Sequence, residues 1–395
     1  MRIDGAILQV IPTLDSGGAE RTTIEIARAI IASGGKAIIA TEGGRLLKDA
    51  EIAGARIALL PVASKNPLTI LANRARLIRL ISEEKASLVH ARSRAPAWSA
   101  LMACRATSTP FVTTYHGAYR ARSPFKRLYN SSMARGDLVI ANSEFTAEAL
   151  RRDYDVEDRL VVIPRGADLK EFNPEAISLA RRQAILRHWE IGENSGRLIM
   201  VLPGRLTGWK GHRMALEAAA RLSEGVRAGV FPEFKLIFAG DTQGQGGEAV
   251  KLARMVGELG LQDSVSMVGH CADMPAAYAV SDIVLSPSTR PEAFGRVAVE
   301  AGAMAKPVIA ADHGGPRETV VNGETGFLIE PNSVDALEAS IRKMAALGAG
   351  GRQALGARAR IRISERFSTK AMTNATLAAY SRMIGGAVDQ RKATS

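Results

Sequence analysis

Strand-forming and helix-forming patterns alternate along the whole chain, and that alternation restricts the fold more than any other feature. The run AILQVI at residues 6–11 leads into a helical pattern from about Gly18 to Ser33, in which Ile24, Ala27, Ile30 and Ile31 recur at helical spacing. KAIIAT, ARIALL, SLVHA, PFVTTY, LVIAN and LVVIP come next as strand candidates, with helical segments between most of them. This predicts a parallel sheet with helices on both faces.

Near residues 172–195 the rhythm breaks. FNPEAISLARRQAILRHWEIGENSGR is polar, helical in part, and ends in the turn-rich Gly-Glu-Asn-Ser-Gly. The pattern then restarts with RLIMVLPGR, FKLIFAGD, SVSMVGH, DIVLSPS, KPVIAAD and GFLIEP. A chain of 395 residues also exceeds what one hydrophobic core usually covers. The expectation is an α/β protein of two doubly wound, Rossmann-like domains whose parallel sheets face a central cleft. They occupy residues 1–175 and 196–365, joined by a linker at 176–195, and a C-terminal helix within 366–395 returns to the first domain. Open sheets of this kind bind ligands beyond the carboxyl ends of their strands, so the loops after each strand are where a site is sought.

Charge narrows the partners. The chain carries 52 basic and 40 acidic residues, a net charge of +12, and the surplus is not spread evenly. Between Ile52 and Arg135 stand 14 Lys and Arg against only Glu83 and Glu84, while the remaining 38 basic and 38 acidic residues cancel. Such a field attracts polyanions: nucleic acid, an anionic lipid surface or a phosphorylated substrate. A solvated surface that aids solubility is the plainer reading. Clusters such as Arg74-Arg76-Arg79 and Arg120-Arg122-Lys126-Arg127, the latter interleaved with Tyr119, Phe125, Leu128 and Tyr129, suit an anionic membrane surface. No recognisable nucleic-acid motif accompanies them, and aromatics are sparse for base stacking, so no nucleic acid is expected as partner. Cys104 and Cys271 lie too far apart to form a disulfide framework or a zinc-like spacing, which fits a reducing compartment. The apolar run at the N-terminus is short and broken by Pro12, and no run reaches the roughly 18 apolar residues that a membrane span requires. A cytoplasmic protein, attached peripherally to the inner membrane, is the expectation.

Several loops carry chemistry. After the first strand, Asp15-Ser16-Gly17-Gly18-Ala19-Glu20 opens a helix; paired glycines let backbone approach a ligand, and a helix N-terminus offers free N–H groups to an anion. A plain strand–helix turn explains the same residues. His116 stands at the carboxyl end of PFVTTY, on the edge where a two-domain protein places its cleft. In VLPGRLTGWKG, Arg205 offers a planar fork and Lys210 a point charge, both suited to a diphosphate, and Gly204, Gly208 and Gly211 let the loop fold tightly. The densest segment is STRPEAFGRVAVEAGAMAKPVIAADHGGPRETVVNGETGFLIEP. If a helix begins near Gly295, its first amides face the same edge as Arg205 and Lys210. Glu300 could then accept bonds from vicinal hydroxyls such as those of a ribose, and Glu292 could grip a sugar, since carboxylates are acceptors fitted to diols.

Taken in order, GGAE, His116, VIPRGAD, PGRLTGWKG, GHCADMPAAYAVSDIVLSPS, the Glu-x7-Glu segment and GGPRE…NGETGFL resemble the retaining glycosyltransferases of family 4, which have the GT-B fold. The resemblance covers nearly the whole chain. It implies that Arg205 and Lys210 hold the donor diphosphate, that Glu300 binds the ribose and that Glu292 contacts hydroxyls of the transferred sugar. It further implies that Phe294, Gly295, Arg296 and Val297 supply the loop whose amides meet sugar or phosphate. Gly17 and Gly18 match the loop closing over the phosphate, His116 a residue beside the donor sugar, and Gly269-His270 the contact to the base. Gly204 belongs to the same donor loop. The first domain would bind acceptor and the second the nucleotide sugar.

The resemblance and the charge pattern together imply a metal-independent, retaining hexosyltransferase of envelope or lipopolysaccharide type, with front-face attack and a phosphate oxygen helping deprotonate the acceptor. The nucleotide sugar is a co-substrate and no cofactor is expected; the acceptor is a glycan or lipid-linked, anionic molecule. Two departures from the common pattern stand out: Ala293 and Arg296 occupy the second and fifth positions of the Glu-Gly/Pro-Phe-Gly-Leu run, and Arg165 stands where Asn is frequent. Asp153-Tyr154-Asp155 formally fits the Asp-x-Asp of metal-dependent glycosyltransferases but sits in a polar stretch. A sugar-nucleotide 2-epimerase of the same fold, or a noncatalytic polyanion-binding protein, are the rival functions.

Overall fold

The computed structural model describes residues 2–15, 17–117, 123–192, 195–242 and 246–393, with side chains to residue 386. Among them the chain forms two compact units, Met1–Arg165 with Thr369–Ser395, and Gly166–Ser368.

The first unit is built on seven strands: β1 (Ala6–Val10), β2 (Lys36–Thr41), β3 (Arg56–Leu59), β4 (Ala86–Ala91), β5 (Phe111–Tyr115), β6 (Leu138–Ala141) and β7 (Leu160–Val162). The second carries six: β8 (Leu198–Pro203), β9 (Phe234–Ala239), β10 (Val265–Gly269), β11 (Ile283–Ser286), β12 (Val308–Ala311) and β13 (Gly326–Ile329). Every pairing is parallel. The sheet orders are β3-β2-β1-β4-β5-β6-β7 and β10-β9-β8-β11-β12-β13. Both are doubly wound, as the alternation of patterns predicts.

The strands read as continuous apolar runs because helices cover both faces. β1, β5, β8, β9, β11 and β12 are buried along their whole length. Gln9, the polar exception in β1, is fully buried and donates Nε2–H to the Thr23 carbonyl at 2.9 Å, which offsets part of the cost of its desolvation, its Oε1 having no partner among the described residues. The helix Gly18–Ala32 presses Ile24, Ile26, Ala27 and Ile30 onto this sheet. Gly34, at φ +89°, carries the chain out of it, a conformation glycine adopts without strain.

The boundary lies earlier than the sequence places it. The units divide at Arg165/Gly166, and the supposed linker at 176–195 belongs to the second unit. Its helix Leu179–His188 is polar on the outside, but Ile177, Ile185, Trp189 and Ile191 join the core formed by Phe172, Tyr278 and Phe294. Arg181 grips Asp273 with two bonds of 2.8 and 2.6 Å. A few large apolar residues, too sparse to register against a polar background, anchor the whole segment. At the other end of the chain the helix Thr369–Ala393 places Met372, Leu377, Ala379 and Tyr380 in the core of the first unit, beside Ile7 and Ile26.

His212 opens the helix His212–Arg227 with its ring edge-on to Phe238 at 4.9 Å and only 2% exposed. Burial first, then the Lys210 ammonium, push its pKa down to about 4, against a weaker upward pull from the Thr207 backbone and Glu248. As pH falls below about 6.5 the unfolded chain takes up a proton that the folded chain refuses until about pH 4, so stability is lost across that window. His212→Phe keeps the ring contact and removes the titration. The drop in melting temperature between about pH 7 and 4.5 is therefore expected to be smaller in the variant; an undiminished drop would show that His212 does not contribute.

Candidate functional site

In the second unit, β8 and β11 are hydrogen-bonded neighbours, although β9 and β10 intervene in the chain. The connections after β8 and β11 leave in opposite directions along the sheet, and such a reversal opens a crevice at the carboxyl ends of the strands. The loop after β8 holds Gly204, Arg205 and Lys210. The loop after β11 holds Ser288 and Glu292. Thr289 stitches the two together, donating its N–H (2.7 Å) and its hydroxyl (3.2 Å) to the Trp209 carbonyl.

At this junction the Lys210 ammonium donates to Glu292 Oε1 at 2.8 Å, and Ser288 Oγ donates to the same oxygen at 2.5 Å. Both partners of the ion pair are largely shielded, with side chains 14% and 11% exposed. Because Glu292 takes both of these bonds on Oε1, its second oxygen is left as an acceptor for a ligand. Lys210 also lies 4.7 Å from the centre of the Trp209 ring, a cation–π contact. From the loop after β12, His313 Nε2 meets the Ser288 carbonyl at 2.7 Å.

The helix Arg296–Ala303 starts from Gly295, whose φ of +79° turns the chain into it. One turn in, Glu300 Oε1 accepts from Arg296 Nε (3.1 Å) and Nη2 (2.8 Å), and Oε2 from the Tyr278 hydroxyl (3.1 Å). Tyr278 is fully buried; burial and then the Glu300 carboxylate hold its pKa well above the ordinary phenol value, so it stays a donor. Phe294 (3% exposed, 6.2 Å from Phe367) and Val297 point into the core, so only their backbone is left to face a ligand. Arg205 is exposed beside Gly204, and Gly269 and the exposed His270 end β10, two strand positions from β8 and so about 10 Å away by sheet spacing.

The first unit repeats the reversal between β1 and β4. Gly17 caps the helix after β1, and the Glu20 side chain folds so close that a Cβ on Gly17 would stand 2.2 Å from Oε2. His116 comes directly after β5, its Nδ1 2.6 Å from Arg165 Nη2. Behind it lies Arg92, only 2% exposed, one residue beyond β4. His90 on β4 bonds the Tyr380 hydroxyl (2.6 Å) and Thr114 Oγ1 (2.7 Å).

Residues 16–171 match the family described as glycosyltransferase family 4, and residues 185–362 match glycosyl transferases group 1. A glycosyltransferase crystal structure from Rickettsia africae is 34% identical with a TM-score of 0.88, over 96% of this chain and 98% of that one. The chain belongs to glycosyltransferase family 4. Its two-sheet fold is therefore GT-B. A D-inositol 3-phosphate glycosyltransferase of Gordonia bronchialis is 32% identical over 255 residues, covering 63% of this chain and 53% of that protein. The chain thus spans about half the length of the curated relatives it matches. An Anabaena HepE protein, solved in complex with UDP-glucose, shares the fold with a TM-score of 0.81 at 24% identity, over 96% of this chain and all of that one.

Within the family 4 frame, Lys210, Glu292, Glu300, Arg296, Gly204 and Arg205 gather at the β8/β11 edge, and Gly17, Gly18 and His116 stand at strand ends of the first unit. Sequence reasoning overlooked Tyr278, Ser288, Trp209 and Arg92. Ser288 stands just beyond a strand in the motif segment and was legible in principle; Tyr278 and Arg92 act from buried positions that no local pattern marks. Among the described residues, no three His, Cys, Asp or Glu side chains group as metal ligands, and Asp153 of the Asp-x-Asp run pairs with Arg152.

Gly314 holds the motif segment in place, pairing with Glu292 at an isolated parallel bridge. Its φ is +64°, and a Cβ there would stand 2.4 Å from the Glu292 carbonyl oxygen. Gly314→Ala is expected to cost at least about 1–3 kcal/mol, from left-handed strain plus the clash. Denaturant titration checks this; wild-type stability in the variant would contradict the close approach.

Proposed function

We propose that the chain is a retaining hexosyltransferase that binds a nucleotide-sugar donor through its second unit, without metal or cofactor, and passes the sugar to an anionic acceptor. The observation that carries this reading is the pairing of cation and carboxylate at the carboxyl ends of β8 and β11. Lys210 beside Glu292, with Arg205 on the same loop, supplies positive charge for a diphosphate and an acceptor for sugar hydroxyls. Glu300, held by Tyr278 and Arg296, supplies an anionic acceptor for ribose hydroxyls. Fixed cations stabilise a departing diphosphate as charge builds on it, which is the task a metal performs elsewhere. His116 is assigned to the donor sugar and Gly17-Gly18 to its phosphate.

The acceptor reading rests on the basic stretch from Ile52 to Arg135. In the structure its helix Pro124–Ser131 presents Phe125 (86% exposed) and Leu128 (55%) alongside Lys126 and Arg127. Tyr119, Arg120 and Arg122 lie outside the described residues. Arg74, Arg105, Arg135 and Arg159 line a separate open groove with Leu101 and Met102. Exposed aromatic and aliphatic side chains among cations suit the interface of an anionic membrane. No helix of the described residues is long and apolar enough to cross a membrane, so attachment would be peripheral. A lipid-linked phosphorylated acceptor, such as an envelope glycolipid or lipopolysaccharide core, fits this surface. The inositol phosphate in the names of the curated relatives points to a phosphorylated acceptor as well.

A panel of nucleotide sugars screened by thermal shift identifies the donor, since a ligand of the folded state raises the melting temperature. With that donor, Glu300→Gln is expected to weaken binding by about 1.5–3 kcal/mol, the range for a hydrogen bond to a charged group. Unchanged affinity and turnover in the folded variant would remove Glu300 from the ribose. EDTA is expected to leave turnover intact, and a loss restored by Mg²⁺ would overturn metal independence.

Co-sedimentation addresses the surface separately. Vesicles containing anionic lipid are expected to pull down the chain at low salt and release it at high salt, whereas neutral vesicles do neither. Equal, negligible binding to both would defeat the membrane reading and leave sugar transfer untouched.

A further inference from the structure

His116 is held by a cation, and that has a consequence for its proton. Arg165 Nη2 stands 2.6 Å from His116 Nδ1. A guanidinium has hydrogens to donate and no lone pair to accept with, so Nδ1 must present its lone pair and the ring proton must sit on Nε2. A doubly protonated imidazolium would set N–H against N–H at this distance. Nε2 itself is buried and has no hydrogen-bond partner of normal geometry among the described residues, although the Arg92 backbone lies beside the ring.

The groups that act on the ring, directly or through a neighbour, come from several elements. β4 and the residue after it supply His90 and Arg92; the loop after β7 supplies Arg165. The C-terminal helix reaches the cluster through Tyr380, which holds His90, and Glu25 of the helix after β1 acts on Arg92. The charged groups acting on His116 are Arg165 and Arg92, both positive. Burial first, then Arg165, Arg92 and His90, depress its pKa well below the ordinary imidazole value, and only the Arg92 backbone pulls the other way. His90 is itself kept neutral by burial and by Arg92.

We propose that Arg165 is a positioning residue that locks His116 as the neutral Nε2–H tautomer, so that His116 orients the strand end at the sugar and takes no part in acid–base chemistry. The link to a sugar rests on the proposed function; the tautomer and its cause do not. This gives a role to the one residue of VIPRGAD that departs from the Asn frequent at its position, because an Asn side chain is shorter and uncharged and cannot set two positive charges about the ring.

The test uses the full chain labelled with ¹⁵N at histidine, with the His116 signals identified by their loss in His116→Asn. In the wild type, long-range ¹H–¹⁵N spectra are expected to show an unprotonated Nδ1 and a protonated Nε2, unchanged between about pH 5.5 and 8. In Arg165→Met, His116 is expected to become a tautomer mixture, with the other five histidines unmoved as a check on folding. Arg165→Lys, which can donate the same bond, is expected to restore the single tautomer in part. A wild-type His116 that titrates across the window, or an Arg165→Met spectrum identical to wild type, overturns the proposal. With a donor in hand, Arg165→Met is expected to lower kcat by about tenfold or more with KM little changed, as misplacement of a positioning contact does. A chain that transfers no sugar at all, yet shows the locked tautomer, would defeat the proposed function and leave this assignment standing.

Discussion

The pairing of β8 with β11 is the constraint on which the candidate site depends. Two strands separated by about eighty residues lie side by side only because the chain winds outward through β9 and β10 and then returns across the start of the sheet. Nothing local in either strand requires the partnership. Once it forms, the loops after the two strands leave from adjacent points, and a lysine at 210 can meet a glutamate at 292. The bond from Thr289 to the Trp209 carbonyl makes that meeting stiff. The motif spacing that is conspicuous in the sequence therefore has meaning only through a topological event outside the motif.

The two carboxylates are held by different means, and the difference matters. Glu292 is fixed at one oxygen by an ammonium and a hydroxyl, all on loops. Glu300 is fixed at both oxygens, by a buried phenol and by a guanidinium one helical turn before it. The Arg296 contact is 38% exposed on the arginine side, and an exposed i,i+4 pair is worth only a few tenths of a kcal/mol. The Tyr278 bond lies in a drier place and carries more of the orientation. Arg296, a departure from the common family pattern, thus adds a second hold on a carboxylate already held from behind.

The fold was legible because both signals it depends on are local and redundant: thirteen short apolar runs and the helical stripes between them. The strands read from the sequence and the strands observed agree in number and order. The unit boundary was less legible. Phe172, Ile185 and Trp189 are scattered through a polar stretch and declare their burial only once β8 and its neighbours exist to cover them. The candidate site residues visible in the sequence are those on strand-end loops and just inside a helix start, Arg205, Lys210, Glu292 and Glu300, although their mutual contacts are not visible there. The site was not legible where the supporting group lies in the core. Tyr278 reads as one more aromatic of a buried helix, and Arg92 as one more member of a basic stretch, although it is almost entirely enclosed.

Lys210 and Glu292 are bonded to each other, and this sets terms for whatever binds there. Removing either partner alone would strand a largely shielded charge, which is costly. A ligand that offers both a phosphate and a hydroxyl avoids that penalty. The ammonium can turn toward the phosphate while the carboxylate, still held by Ser288, accepts from the hydroxyl. A bare diphosphate recruits the lysine but leaves Glu292 with a single donor, and a bare sugar supplies hydroxyls but offers Lys210 no anion. On the proposed reading, the site favours the intact nucleotide sugar over either of its halves, because only the intact molecule satisfies both members of the pair at once.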